Sequence, residues 1–213
     1  MGHEVQSQLY VCAVAGADPQ QVAAHLDAAG AATLLVAARE GSALTAAEAR
    51  PLVELAQKKD IAALIEGDAQ LARTLRADGV HLPWSKDIAA RYTEAREILG
   101  TRYIVGVDVG RSRHDAMSFA EDGADYIAFG IPPHVEDRAS AAERRLELIF
   151  WWSEIFEVPC VAFDVDSVED ATALAAAGAD FVAMRLGVDL ASADYAKLAS
   201  AVAEAASRRE AIA

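Results

Sequence analysis

A chain of 213 residues with 54% hydrophobic side chains carries enough apolar surface for one large α/β core, a single domain over residues 1–213, and two small domains are the weaker alternative. Nineteen Lys and Arg against 33 Asp and Glu leave a net charge of -14, which turns the average surface away from nucleic acid and anionic membrane. Cys12 and Cys160 each lie inside an apolar run and read as buried thiols rather than a disulfide scaffold. No stretch reaches the ~20 apolar residues of a membrane span, and Met1 to Val5 lack signal-peptide character, so a cytoplasmic protein is expected.

In chain order, Leu9 to Val14 is a β-rich run without alternation, as suits a strand buried on both faces. Asp18-Pro19 supplies a helix cap with proline at the first helical position, and Gln20 to Ala29 reads as a helix stopping at Gly30. A second unit pairs strand Thr33 to Ala37 with a helix from Thr45 to Lys58, in which Thr45 and Glu48 stand at capping-box spacing. Strand Ile61 to Ile65 precedes a short helix Ala69 to Leu75, and strand Gly79 to Leu82 precedes a helix Ile88 to Leu99.

Tyr103 to Val109 is the fifth strand, with a helix over Arg111 to Glu121. Tyr126 to Phe129 is the sixth, followed by the irregular Gly130-Ile131-Pro132-Pro133. A long helix from Ser140 to Phe156 contains Trp151 and Trp152, for which one core-facing and one exposed indole is expected. Its apolar stretch Leu146 to Phe156 is the candidate contact surface for a homodimer. Strand Cys160 to Phe163, helix Ser167 to Ala177, strand Phe181 to Met184 and a helix from Ala191 to Arg208 complete the chain.

Eight strands, each followed by a helix, in this length are what a (β/α)8 barrel requires. A small-residue turn recurs before the even strands, with Ala32, Asp78, Asp125 and Asp180 at equivalent points 46, 47 and 55 residues apart, as a double βα unit used four times would give. An open doubly wound sheet competes, but no glycine-rich dinucleotide fingerprint follows the first strand.

A barrel holds its active site at the C-terminal strand ends. The candidates there are Arg39, Glu66, His81, Lys86, Asp108, His134, Asp164 and Arg185. Each has a plainer alternative: His81 as a hydrogen-bonded structural residue, Arg39 as half of a solvated loop pair, Asp164 and Arg185 as an ion pair filling the mouth. No zinc-protease helix, CxxC, nucleophile elbow or Walker A pattern occurs.

Ala77-Asp78-Gly79-Val80-His81-Leu82 resembles a segment of thiamine phosphate synthase and its TenI-like relatives, and the resemblance extends to Gly123 through Gly130, Pro159 to Ala162 and Ala177 to Asp180. It implies a (β/α)8 barrel and a magnesium-dependent transferase that joins hydroxymethylpyrimidine diphosphate to thiazole phosphate, releasing pyrophosphate. It also implies where the chemistry should sit, and there this chain departs. After strand two only Arg39 of the family's Gln, Arg and Lys remains. At the magnesium positions stand Gly67 and Lys86, with Asp68 and Asp87 one residue late, so Mg2+ is expected only by resemblance. Asp108 replaces a serine, no Thr-x-x-Lys lies within His134 to Arg138, and Asp164-Val165 replaces a phosphate-cradling glycine pair.

The residues thus point to a member of the family with lost or altered activity. Alternatives are a non-catalytic barrel binding a small phosphorylated ligand, its mouth closed by ion pairs among Asp164, Arg185, Glu66 and Lys86, or a TenI-like isomerase or lyase. In these readings His81, Lys86 and His134 carry chemistry, and Arg39, Glu66, Asp108, Asp164 and Arg185 hold substrate or phosphate.

Overall fold

The structure is a computed structural model that describes residues 7–186 and 192–210. Eight parallel strands close into a barrel in sequence order, each hydrogen-bonded to its sequence neighbours and the last to the first. The strands are β1 (Gln8–Val14), β2 (Thr33–Ala37), β3 (Ala62–Glu66), β4 (Gly79–Leu82), β5 (Ile104–Asp108), β6 (Tyr126–Phe129), β7 (Cys160–Ala162) and β8 (Phe181–Arg185). Between and after them run α1 (Pro19–Ala29), α2 (Ala46–Lys58), α3 (Ala69–Leu75), α4 (Ile88–Leu99), α5 (Arg113–Glu121), α6 (Arg138–Ile155), α7 (Val168–Ala176) and α8 (Ser192–Glu210).

Every expected element is present, and the differences are confined to ends. The fifth helix starts at Arg113 rather than Arg111 because Ser112 is its cap, its side chain accepting the Asp115 amide. The sixth starts at Arg138 rather than Ser140, because Asp137 caps it through the Ser140 amide. Thr45 accepts the Glu48 amide and its hydroxyl meets the Glu48 carboxylate, as their spacing predicts. Expectations resting on Met1 to Val5 and on Ala191 lie outside the described residues. Among the described residues no helix is long and apolar enough to cross a membrane.

Two cores explain the unalternating strands. Leu9, Val11 and Ala13 of β1 pack outward with the helices, whereas Tyr10 and Cys12 point into the barrel with Leu35, Leu64, Tyr126, Ala128, Val161 and Ala183. Both faces are apolar, so period two disappears from the sequence. Gly79 is required by proximity: a Cβ there would lie 2.0 Å from the Ile104 carbonyl oxygen. A Cβ on Gly106 would lie 1.9 Å from Cζ of Tyr126, so the bare strand makes the seat for that ring.

The recurring aspartates close the base of the barrel. Asp78 Oδ2 accepts the Ala63 amide at 2.8 Å, Asp125 Oδ2 the Val105 amide at 2.8 Å, and Asp180 Oδ2 the Cys160 amide at 2.7 Å. Each carboxylate therefore satisfies an amide at the start of the preceding strand. Ala32, at the fourth equivalent point, has no side chain that can do this.

Candidate active site

At the C-terminal strand ends lies a cavity of about 340 Å³. Its polar lining consists of Glu66 from β3, His81 from β4, Asp108 from β5, Asp164 after β7 and Arg185 from β8, all proposed from strand ends alone. Leu35, Trp84, Pro132 and Phe163 supply apolar wall. The remaining three candidates stand elsewhere. Arg39 is exposed and donates Nε to the Ala15 carbonyl at 3.3 Å, lying over Gly16. Lys86 is exposed on the segment before α4. His134 is exposed and packs on Trp84, ring centroids 4.8 Å apart, at the rim. Among the described residues, Arg185 is thus the one cation of the lining, facing three carboxylates.

The alternative of a mouth filled by ion pairs is not seen among the described residues. Among the described residues no salt bridge joins Asp164 to Arg185 or Glu66 to Lys86. The reason is local geometry. Asp164 takes a left-handed backbone, φ 56°, and its Oδ2 accepts the Ile131 amide at 2.8 Å across the loop after β6, while Arg185 remains exposed.

Burial dominates the electrostatics. Asp108 is pushed up to about 7 first by loss of water and further by the Asp164 charge, against the opposing bond from the Gly110 amide at 2.7 Å. Both carboxylates crowd Gly130, where a Cβ would lie 2.7 Å from Asp108 Oδ2 and 3.0 Å from Asp164 Oδ2. Glu66 is likewise raised by burial, with Arg185 pulling it back. Cys12, at the cavity wall, is raised to about 12 by burial and is a thiol rather than a thiolate. His81 is lowered to about 3 by burial alone.

His81 closes the floor of the cavity. Its ring stacks on Phe163 at 4.5 Å and 9° and on Tyr126 at 6.0 Å and 6°, and Nδ1 lies 2.9 Å from Tyr126 Oη, which lies 3.0 Å from Tyr10 Oη. Tyr10, Tyr126 and Phe163 were not foreseen, because inward positions look like outward ones in strands buried on both faces. Arg145 of α6 was also missed. Its guanidinium is fully buried and holds the Phe163 and Asp164 carbonyls and the Asp170 carboxylate, the last at 2.6 Å. It thereby anchors the backbone from which Asp164 enters the mouth. Of the two indoles, Trp152 is buried, its Nε1 donating to the Val158 carbonyl at 2.7 Å, and Trp151 is half-buried under the Arg113 guanidinium.

The residues at the magnesium positions do not fit that ion. Gly67 offers no side chain, Lys86 is a cation, and Asp68 accepts the Leu71 amide as the cap of α3 at 2.8 Å. Asp87 is exposed on the segment before α4. Among the described residues no three His, Cys, Asp or Glu gather as a metal site.

The sequence model of thiamine monophosphate synthase matches residues 9–188. The chain belongs to the thiamine monophosphate synthase family. It is 38% identical over 189 residues to the thiamine-phosphate synthase of Erythrobacter litoralis, covering 85% of this chain and 87% of the other. It is 39% identical over 191 residues to that of Rhodospirillum centenum, covering 85% and 88%. The thiamine phosphate pyrophosphorylase structure from Pyrococcus furiosus superposes with a TM-score of 0.75 at 22% identity, over 95% of this chain and 98% of that one, and shows the same barrel.

Proposed function

We propose that this chain is a diverged thiamine monophosphate synthase homologue whose barrel mouth holds a small ligand of little negative charge and makes thiamine phosphate slowly or not at all. The observation that carries the reading is the cavity lining: Glu66, Asp108 and Asp164 against Arg185. A diphosphate leaving group needs cations or magnesium where its charge develops. Two like unit charges ~4 Å apart repel by roughly 4 kcal/mol at an intermediate dielectric, so carboxylates in that place oppose the reaction. Arg39 and Lys86, which could have offset them, stand outside the lining.

A second point bears on the isomerase or lyase alternative. Such a reaction needs a base: burial makes His81 a poor one, and Asp108, pushed up to about 7 in the same lining, is the group placed for it. The reading also places the protein in the cytoplasm, where the thiols of Cys12 and Cys160 stay reduced, and includes self-association through α6, supported by exposed Leu146, Phe150 and Ile155.

The test incubates purified protein with hydroxymethylpyrimidine diphosphate, thiazole phosphate and Mg2+, beside the Erythrobacter litoralis relative. Thiamine phosphate should form at least about 100-fold more slowly here, the scale of losing one electrostatic contact to a transition state. Comparable turnover would overturn the proposal.

A further inference from the structure

Tyr10, Tyr126 and His81 form a chain of three polar groups inside the barrel joined by two hydrogen bonds, 3.0 Å and 2.9 Å long. Counting hydrogens settles its direction. Each link uses one hydrogen, and each tyrosine hydroxyl brings one. With the histidine proton on Nε2, Tyr10 donates to Tyr126, Tyr126 donates to bare Nδ1, and two hydrogens fill two links. With the proton on Nδ1 there are three hydrogens for two links, and one tyrosine hydroxyl is left without an acceptor. Tyr10 is 1% exposed and Tyr126 6%, and among the described residues neither hydroxyl has another partner. An orphaned buried donor shifts the balance roughly ten- to hundredfold toward the first arrangement.

The rings cannot turn to escape this count. His81 stacks on Phe163 and meets the parallel Tyr126 ring through Nδ1, with Tyr10 at its edge, so exchanging Nδ1 with the ring carbon opposite it would break the bond to Tyr126. The other nitrogen is Nε2. The buried side-chain nitrogen and oxygen atoms without partners are Ser7 Oγ, Ser85 Oγ and Arg145 Nε among the described residues. His81 Nε2 is not among them; among the described residues it has no hydrogen-bond partner, and its ring, 1% exposed, is part of the cavity wall.

We infer that Tyr10 and Tyr126 are positioning residues that fix His81 in its neutral Nε2–H tautomer, so that the cavity floor presents one hydrogen-bond donor and selects an uncharged ligand with an acceptor atom there, a carbonyl oxygen or an unprotonated ring nitrogen. The inference rests on the mouth being the ligand site. It assigns complementary tasks to the lining: His81 and Arg185 donate, Asp108, Asp164 and Glu66 receive, and His81 takes no proton from a ligand. Loss of water around the ring, which keeps it neutral, supports the same assignment.

Nitrogen-15 NMR of the full labelled chain at neutral pH tests it, through long-range proton–nitrogen correlations that distinguish the two tautomers. The His81 signals are identified by their loss in His81→Gln. The expected pattern is Nε2 protonated and Nδ1 bare and hydrogen-bonded, with the other tautomer under about a tenth. A dominant Nδ1–H form, or comparable amounts of both, overturns the inference. In Tyr126→Phe the Nδ1 signal should move to that of an unbonded ring nitrogen, whereas Tyr10→Phe, which keeps the Tyr126 donor, should leave the pattern in place. An unchanged Nδ1 in Tyr126→Phe likewise overturns it. Titration with 4-aminopyrimidine, an uncharged ring with acceptor nitrogens, should shift Nε2 and its proton. If the probe shifts Trp84 or Arg185 signals but not Nε2, the donor role fails alone. If the tautomer is as stated and the probe shifts no cavity signal, the mouth as ligand site fails, and the selection of an acceptor with it.

Discussion

The two ends of the barrel use the same residue type to opposite effect. At the base, Asp78, Asp125 and Asp180 each receive one strand amide, at 2.7–2.8 Å. At the mouth, Asp108 and Asp164 crowd one glycine, accept loop amides, and face a third carboxylate across the cavity. A carboxylate that completes a strand is a structural part. One that is deprived of water beside another carboxylate keeps a chemical potential for protons or ligand donors. The difference teaches that the same side chain is a structural part where a strand amide meets it and a chemical group where water is withdrawn from it.

The largest effect that would break this contrast is loss of the anchor beneath the mouth. Arg145→Ala removes a fully buried guanidinium from half-buried Asp170 and from the Phe163 and Asp164 carbonyls and should cost about 3 kcal/mol in urea unfolding. Asp108 comes next, and its effect is on pH. Its folded value is raised above the ordinary 3.8 to about 7, so the native state binds the extra proton between these limits. Its contribution to stability is present below about pH 4 and lost as pH rises through about 7, by at most about 4 kcal/mol. Asp108→Asn should flatten that part of the stability profile; an unchanged slope would show that Asp108 ionises normally.

The base should respond next. Asp78→Ala, Asp125→Ala and Asp180→Ala should each cost about 1.5–3 kcal/mol, the value of a hydrogen bond to a charged group, and leave the His81 nitrogen signals unmoved. The smallest change in stability belongs to Asp164→Gly. Relief of the left-handed backbone offsets the lost Ile131 bond to within about 1 kcal/mol. Its reading is affinity: inorganic phosphate should bind about tenfold more tightly by calorimetry once a facing charge is gone. No gain would mean that Asp164 is not what keeps anions out.

The contrast also explains what could be read from sequence. The base announces itself because its aspartates must recur at the barrel's own period, and caps such as Thr45 and Ser167 obey local rules. Glu66, Asp108 and Arg185 end their strands and His81 stands one residue before the end of β4, so the strands fix where they point, whereas Asp164, two residues past β7, is turned to the cavity by its left-handed backbone and its bond to the Ile131 amide. Arg39, Lys86 and His134 sit on loops, whose direction depends on packing that no spacing encodes. Tyr10 and Tyr126 stayed hidden in doubly buried strands, and Arg145 looked like any surface arginine of a charged helix. Its burial follows only from where the loop after β7 lies.

Gly106 connects the two themes. Its α-hydrogen occupies the place where any other residue would drive into the Tyr126 ring. That ring in turn holds the histidine at the cavity floor. What a ligand meets on entering the barrel is therefore decided one strand away by an absent side chain, and a single added methyl group there would rewrite the chemistry of the mouth without touching it.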